Sequence, residues 1–154
     1  KKYSYVYDHE HWTLTMDSHC YGDIVKSAYY KIAGTGKSKV EWKVNVETPG
    51  KYEVFAYLPD VEATSARKVF IGGARLFYRV TSADDITDVE LFLDDEQPGW
   101  ISLGVFNFDR GEYSVFLSDR GGDSLSRENS DTRGWDGESV QFIFANAVKW
   151  VPVK

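Results

Sequence analysis

The chain predicts an all-β fold, a two-sheet antiparallel β-sandwich, and three observations carry that prediction. In Lys39-Val40-Glu41-Trp42-Lys43-Val44-Asn45-Val46 every even position is apolar and every odd one polar, the pattern of a strand with one buried and one wet face. The 154 residues include 5 Trp, 10 Tyr and 9 Phe against a single Met, a bias toward side chains that pack well on a pleated surface. No segment keeps a helical period over three turns, and short alternating runs are separated by glycine and proline turn signals.

Taken in order, strands are expected at Tyr3–Tyr7, Trp12–Met16 and Ala28–Ile32, with Tyr29 and Tyr30 placing one ring on each face. The Lys39–Val46 strand puts Trp42, Val44 and Val46 on its buried side. Thr48-Pro49-Gly50-Lys51 then reads as a tight turn into Tyr52–Leu58, stopped by Pro59, and the two strands read as an antiparallel hairpin. In that second strand Phe55 and Tyr57 face away from Val54 and Ala56. They form either an aromatic strip or a surface covered by another layer, and two-sided burial in central sandwich strands favours the cover. Further strands are expected at Lys68–Ile71, Leu76–Thr81, Val89–Leu93, Trp100–Phe108, Tyr113–Leu117 and Val140–Val151. Gly72-Gly73, Pro98-Gly99 and Arg110-Gly111-Glu112 mark turns between them. Ser82–Ile86 and Asp60–Ala66 are short helical candidates. Ser118–Ser139 is long, polar and glycine-rich, the kind of loop that often carries function.

The length fits one domain over residues 1–154, large enough to bury a core without a metal or disulfide staple. A net charge of −6 gives no electrostatic footprint for a phosphate backbone, so nucleic acid is not an expected partner. No apolar run approaches the ~18 residues of a membrane span. Lys1-Lys2-Tyr3-Ser4 has no apolar leader, so either the protein stays where it is made or the chain is a mature or excised piece of something longer. Cys20 is the only cysteine; it cannot form an internal disulfide, and a small buried hydrophobe is its ordinary role.

Asp8-His9-Glu10-His11, with His19 and Cys20 beyond, is the one cluster with transition-metal chemistry, since residues two apart on a strand share a face. A polar cluster near a chain terminus is more often simply solvated, and no metal is expected there. Asp119, Asp123, Asn129, Asp131 and Asp136 offer the oxygens a calcium ion takes, without EF-hand spacing. The ordinary reading is a solvated acidic-and-basic loop, a structural calcium with unassigned ligands is the alternative, and no cofactor is otherwise expected. There is no nucleophile elbow, phosphate loop or Ser/His/Asp set, and the carboxylates fall at solvated positions, so the chain is not expected to be an enzyme.

Gly34-Thr35-Gly36, Pro49-Gly50-Lys51-Tyr52-Glu53-Val54, Gly99-Trp100-Ile101-Ser102-Leu103-Gly104-Val105-Phe106-Asn107-Phe108 and Phe144-Ala145-Asn146-Ala147-Val148-Lys149-Trp150-Val151 occur in an order that resembles the golvesin C-terminal / xanthan lyase carbohydrate-binding-like domain family, from about Tyr21 to Val151. Asn146 stands where that family shows an aspartate, and the loop from Arg120 to Glu138 is longer. The resemblance implies a galactose-binding-like jelly roll. It also implies a non-catalytic accessory module of a bacterial polysaccharide-acting or surface protein, extracellular, cell-surface or periplasmic. Its expected partners are a polysaccharide or the parent's catalytic domain, and the module is expected to be monomeric. The alternative is a purely structural, docking or adhesive domain without sugar affinity.

Trp135 lies in Arg133-Gly134-Trp135-Asp136-Gly137, far from any apolar neighbour. It either folds back as a lid or stands exposed, its ring offered to a sugar face with charges on either side. Trp135, Arg133, Asp136 and Tyr57 are the ligand contacts the sequence nominates.

Overall fold

The computed structural model describes residues 11–16, 18–60, 74–122 and 141–154. They form strands β1 (Thr13–Met16), β2 (Ser27–Ile32), β3 (Lys39–Val46), β4 (Gly50–Leu58), β5 (Arg75–Thr81), β6 (Ile86–Phe92), β7 (Gly99–Phe108), β8 (Gly111–Ser118), β9 (Phe142–Ala145) and β10 (Val148–Pro152). A single 3₁₀ turn spans Leu93–Asp95. The expected strands at Tyr3–Tyr7 and Lys68–Ile71, the metal-type cluster before His11, and nearly all of the Asp60–Ala66 candidate helix lie outside the described residues.

Every strand pair is antiparallel. Hydrogen bonding gives a four-stranded sheet, β3-β8-β5-β6, and two three-stranded ladders, β10-β4-β7 and β1-β2-β9. The expected Val140–Val151 strand is split at Asn146-Ala147, so that β9 serves one ladder and β10 the other. The all-β sandwich expected from alternation is what forms. Inward side chains of the four-stranded sheet (Leu76, Tyr78, Val80, Leu91, Val115, Leu117) meet Val54, Ala56, Leu58, Leu103 and Phe108 from β4 and β7 and Ile143 and Ala145 from β9. Burying such side chains stabilises by about 1.5–3 kcal/mol each. On the opposite face of β2 and β9, Cys20, Ala28 and Phe144 make a second small cluster against Tyr30 and Phe142. Cys20 is thus the buried hydrophobe expected of it, and Tyr29, on the other side of β2, stands 49% exposed.

Three local readings change in the folded chain. First, β3 and β4 do not form a hairpin. Both edges of β4 are taken, by β7 and β10, while β3 pairs with β8. The Thr48-Pro49 turn therefore arches from one sheet to the other. It runs beside the Asp109-Arg110 connection, because Val46 pairs with Gly111 and Gly50 with Phe108. Arg110 Nε donates to the Glu47 carbonyl (3.2 Å) and ties the two arches. Second, Ser82–Ile86 is not helical but the turn between β5 and β6: Ser82 N–H donates to Asp85 O (3.0 Å) and Asp85 N–H to Ser82 Oγ (3.3 Å). Ser and Asp side chains offer the backbone these local partners in competition with a helix. Third, β7 carries a bulge. Val54 pairs with Gly104 but Phe55 with Ser102. The extra residue shifts the alternation, so Leu103 and Phe106 both face the core. Gly104 sits at φ +130°, and a Cβ there would lie 3.0 Å from the Phe106 ring.

The three buried polar side chains among the described residues, Lys31, Asp119 and Gln141, meet at one corner. Lys31 Nζ donates to Asp119 Oδ2 (2.8 Å), and Gly36 N–H to Asp119 Oδ1 (2.8 Å). Gln141 Oε1 accepts from Gly122 N–H (2.9 Å), and its amide nitrogen donates to Arg75 O (2.7 Å). Removing one member of a buried pair strands a charge, so Lys31→Met should lower unfolding free energy by about 3–5 kcal/mol. Lys31→Met/Asp119→Leu together should restore much of that loss. Urea denaturation measures both, and an unchanged midpoint in Lys31→Met would mean that the pair does not form.

Trp42 faces inward with Val44 and Val46, as alternation requires, but is half-buried rather than enclosed. Its indole Nε1 donates to Asn146 O (3.2 Å). Trp42→Ala should therefore cost about 2–3 kcal/mol, below the cost of deleting a fully enclosed aromatic. Chemical denaturation of the variant checks the figure.

Candidate functional site

The outward face of the four-stranded sheet holds a cleft of about 480 Å³. Its builders follow from strand period. On β5, Arg75, Phe77 and Arg79 alternate with the core residues Leu76, Tyr78 and Val80 and so point outward; on β8, Phe116 does the same between Val115 and Leu117. The register sets Phe116 between Glu41 of β3 and Arg79 of β5, and sets Phe77 opposite Glu90 of β6. Phe77 and Phe116 line the cleft, together with Lys39, Asp88, Glu90 and Arg120.

Each ring carries a cation. Arg120 lies 4.5 Å from the Phe77 centroid and Lys39 Nζ 4.6 Å from that of Phe116. On the β6 side, Arg79 holds Asp88 through two bonds, Nε to Oδ1 (2.7 Å) and Nη2 to Oδ2 (3.2 Å). Arg75 Nη1 donates to Glu90 Oε1 (2.7 Å). These pairs are exposed and add little to stability. Their effect is positional, since guanidinium donors and carboxylate acceptors are already fixed beside an apolar floor. The hydrogen bond from Arg79 holds the Asp88 carboxyl below the usual carboxylate range, against a smaller opposing effect of desolvation.

The end wall of the cleft is Thr35, Gly36, Ser118 and Arg120, and it rests on the buried corner. Asp119 N–H donates to Ser38 O (2.8 Å), Gly34 N–H donates to Asp119 O (2.7 Å), and Arg120 N–H donates to Ser118 Oγ (3.1 Å). Asp119 is therefore engaged by Lys31 and Gly36. The other acidic residues named for calcium lie outside the described residues. Among the described residues no group of three His, Cys, Asp or Glu side chains could hold a metal ion.

Of the ligand contacts nominated from sequence, Trp135, Arg133 and Asp136 lie outside the described residues. Tyr57 is half-buried on the outer face of β10-β4-β7. It meets Trp100 at 5.2 Å and 79° and Tyr21 at 5.4 Å and 52°, and Tyr21 meets Trp100 at 5.0 Å and 65°. Lys149 Nζ lies 4.2 Å from the Trp100 centroid. Trp100 meets both tyrosines edge to face and the two tyrosines are tilted against each other, so the three rings do not form one flat platform. Tyr21 and Lys149 supply part of the cover expected over Tyr57. Asn146 anchors Tyr21: with its amide turned to satisfy both neighbours, it donates to Ser27 O (3.2 Å) and accepts from Tyr21 N–H (3.0 Å). An ionised aspartate could not donate to Ser27, which accounts for the amide at this position.

Phe77, Phe116, Lys39 and Arg120 were not nominated from sequence. The signal was present, because alternation puts two phenylalanines on solvent faces. Their convergence depends on β5 pairing with β8, which no local pattern specifies.

The Asp88 carboxyl should titrate below the ordinary aspartate range, and Arg79→Gln should return it to that range. The bond's contribution is present at neutral pH and is lost as pH falls through the depressed native value. Carboxyl-carbon NMR titration of both proteins reads this directly.

No curated protein matches the chain. The Golvesin C-terminal domain pattern matches residues 3–126. The match starts earlier than the Tyr21 expected from the motifs and takes in the Gly99–Phe108 stretch, but stops short of Phe144–Val151. It covers most of the sequence, and the chain belongs to the Golvesin C-terminal domain family, a family of non-catalytic accessory domains.

Proposed function

We propose that this domain is a carbohydrate-binding accessory module of a larger, polysaccharide-acting or surface protein, and that its ligand lies in the cleft of β3-β8-β5-β6. The observation that carries the reading is the pairing of two outward phenylalanines, Phe77 and Phe116, with ion-paired hydrogen-bonding groups in one concavity. A pyranose ring has an apolar C–H face and a rim of hydroxyls. Phenyl rings suit the first, and fixed carboxylates and guanidiniums suit the second, the usual design of a small-molecule site. A cleft of this volume falls within the usual range of about 300–1,000 Å³. The arrangement favours binding over catalysis. Asp88 is held ionised by Arg79, whereas a general acid needs its carboxyl pKa raised. The sequence-nominated contacts Trp135, Arg133 and Asp136 remain part of the proposal.

The reading that most differs is a docking or adhesive domain without sugar affinity. A glycan array followed by calorimetry on the best ligand separates the two. Phe77→Ala and Phe116→Ala should each weaken binding about tenfold or more with the fold retained by circular dichroism, since a loss of apolar ring contact of about 1.4 kcal/mol corresponds to that factor. Binding abolished by Tyr57→Ala but unchanged by both phenylalanine variants would move the ligand to the opposite sheet. An array with no bound glycan would support the docking reading.

A further inference from the structure

We propose that the cleft selects sugars bearing an anionic group, a uronic carboxylate or a sulfate ester, and that Lys39 is the residue that reads it. This inference rests on the glycan-binding reading above and names the class of glycan.

The carboxylates on this sheet face already have partners. Asp88 is bonded to Arg79 and Glu90 to Arg75. Glu41 faces Lys43 at 4.0 Å and accepts from Ser114 Oγ at 2.8 Å. Glu112 faces Lys43 at 3.5 Å. Among the described residues, none lies within ion-pair distance of Lys39. Lys39 begins β3, opposite Ser118 in the register, and its ammonium rests over the Phe116 ring and lines the cleft. A molecule of net charge −6 thus keeps a cation over the binding floor with no carboxylate paired to it among the described residues.

While the cleft is open, water and the ring quadrupole suffice for that ammonium. A sugar stacked on Phe116 displaces part of the water, and a charge that loses water without gaining an acceptor is costly. A neutral sugar offers only hydroxyl oxygens. A carboxylate or sulfate on the stacked ring offers a charge-assisted acceptor, roughly twice as strong. The far wall adds direction, because Asp88 and Glu90 on β6 repel an anion and accept from hydroxyls. The anionic edge of the sugar then lies toward β3 and its hydroxyl edge toward β6.

The test is calorimetry on the full chain at low ionic strength with three probes: a short oligogalacturonide, its carboxyl-reduced neutral counterpart and a sulfated galactan oligosaccharide. At least one charged probe should bind about tenfold tighter than the neutral one, the factor expected of one charge-assisted hydrogen bond. Whichever charged probe binds better identifies the group as carboxylate or sulfate. Lys39→Gln should erase the preference, bringing the charged and neutral probes to equal affinity, Lys39→Arg should keep it, and added salt should narrow it. Equal affinity for charged and neutral probes overturns the charge preference and leaves glycan binding standing. A preference that survives in Lys39→Gln overturns the role of Lys39. No binding of any probe, together with a blank glycan array, overturns the glycan reading and this inference with it.

Discussion

The buried ion pair between Lys31 and Asp119 is the constraint on which the rest of the molecule hangs. Two charges, each about nineteen-twentieths removed from solvent, are tolerated only when their hydrogen-bonding capacity is used. Here Asp119 is satisfied by the ammonium on one oxygen and by Gly36 N–H on the other. The pair joins β2, in one three-stranded ladder, to the residue that follows β8, in the four-stranded sheet. No apolar contact would fix that junction as closely. Hydrophobic packing accepts small slides, whereas a buried charge accepts few positions. Gly34 records the fit, since a Cβ there would fall against Asp119 Oδ2.

Gln141 completes the same corner from a third direction. Its side chain bonds both backbone groups of Arg75 and the N–H of Gly122, and its carbonyl accepts from Ala33. The start of β5, the end of β8, the end of β2 and the start of β9 therefore meet at one set of satisfied polar groups. The aliphatic core supplies the bulk of the driving force, and the polar corner decides how the ladders are placed around it. Such a division is common where a buried polar network must be complete to be tolerated at all.

The cleft inherits its shape from this corner. Gly36 meets Asp119 in space, Ser118 precedes it in sequence, and Arg120 follows it directly. The cation above Phe77 is thus placed by a residue whose own side chain points the other way, into the buried pair. The opposite sheet presents aromatic side chains too, but Tyr21, Tyr57 and Trp100 are turned against one another. Two faces of one sandwich have used the same residue type for different ends: rings packed against one another over β4 and β7, and rings beneath cations in a concavity on β3-β8-β5-β6.

Among the described residues, the sequence by itself located most of the strands and the buried faces of β3 and β4. Alternation is a local property, and it placed Trp42, Val44 and Val46 inward and Phe55 and Tyr57 outward. Family motifs spread along the chain were legible for the same reason. Strand partnership was not. The Thr48–Lys51 turn suits a hairpin or an arch between sheets equally well, and only the filling of both β4 edges by β7 and β10 decides for the arch. Likewise Phe77 and Phe116 stand 39 positions apart in the chain and become one floor only because β5 lies beside β8. Lys31 and Asp119, 88 positions apart, become one ion pair by the same kind of closure. Periodicity reports on neighbours along the backbone. The site and the polar corner are made by neighbours across it, and those are chosen by how the sheets close around a shared core.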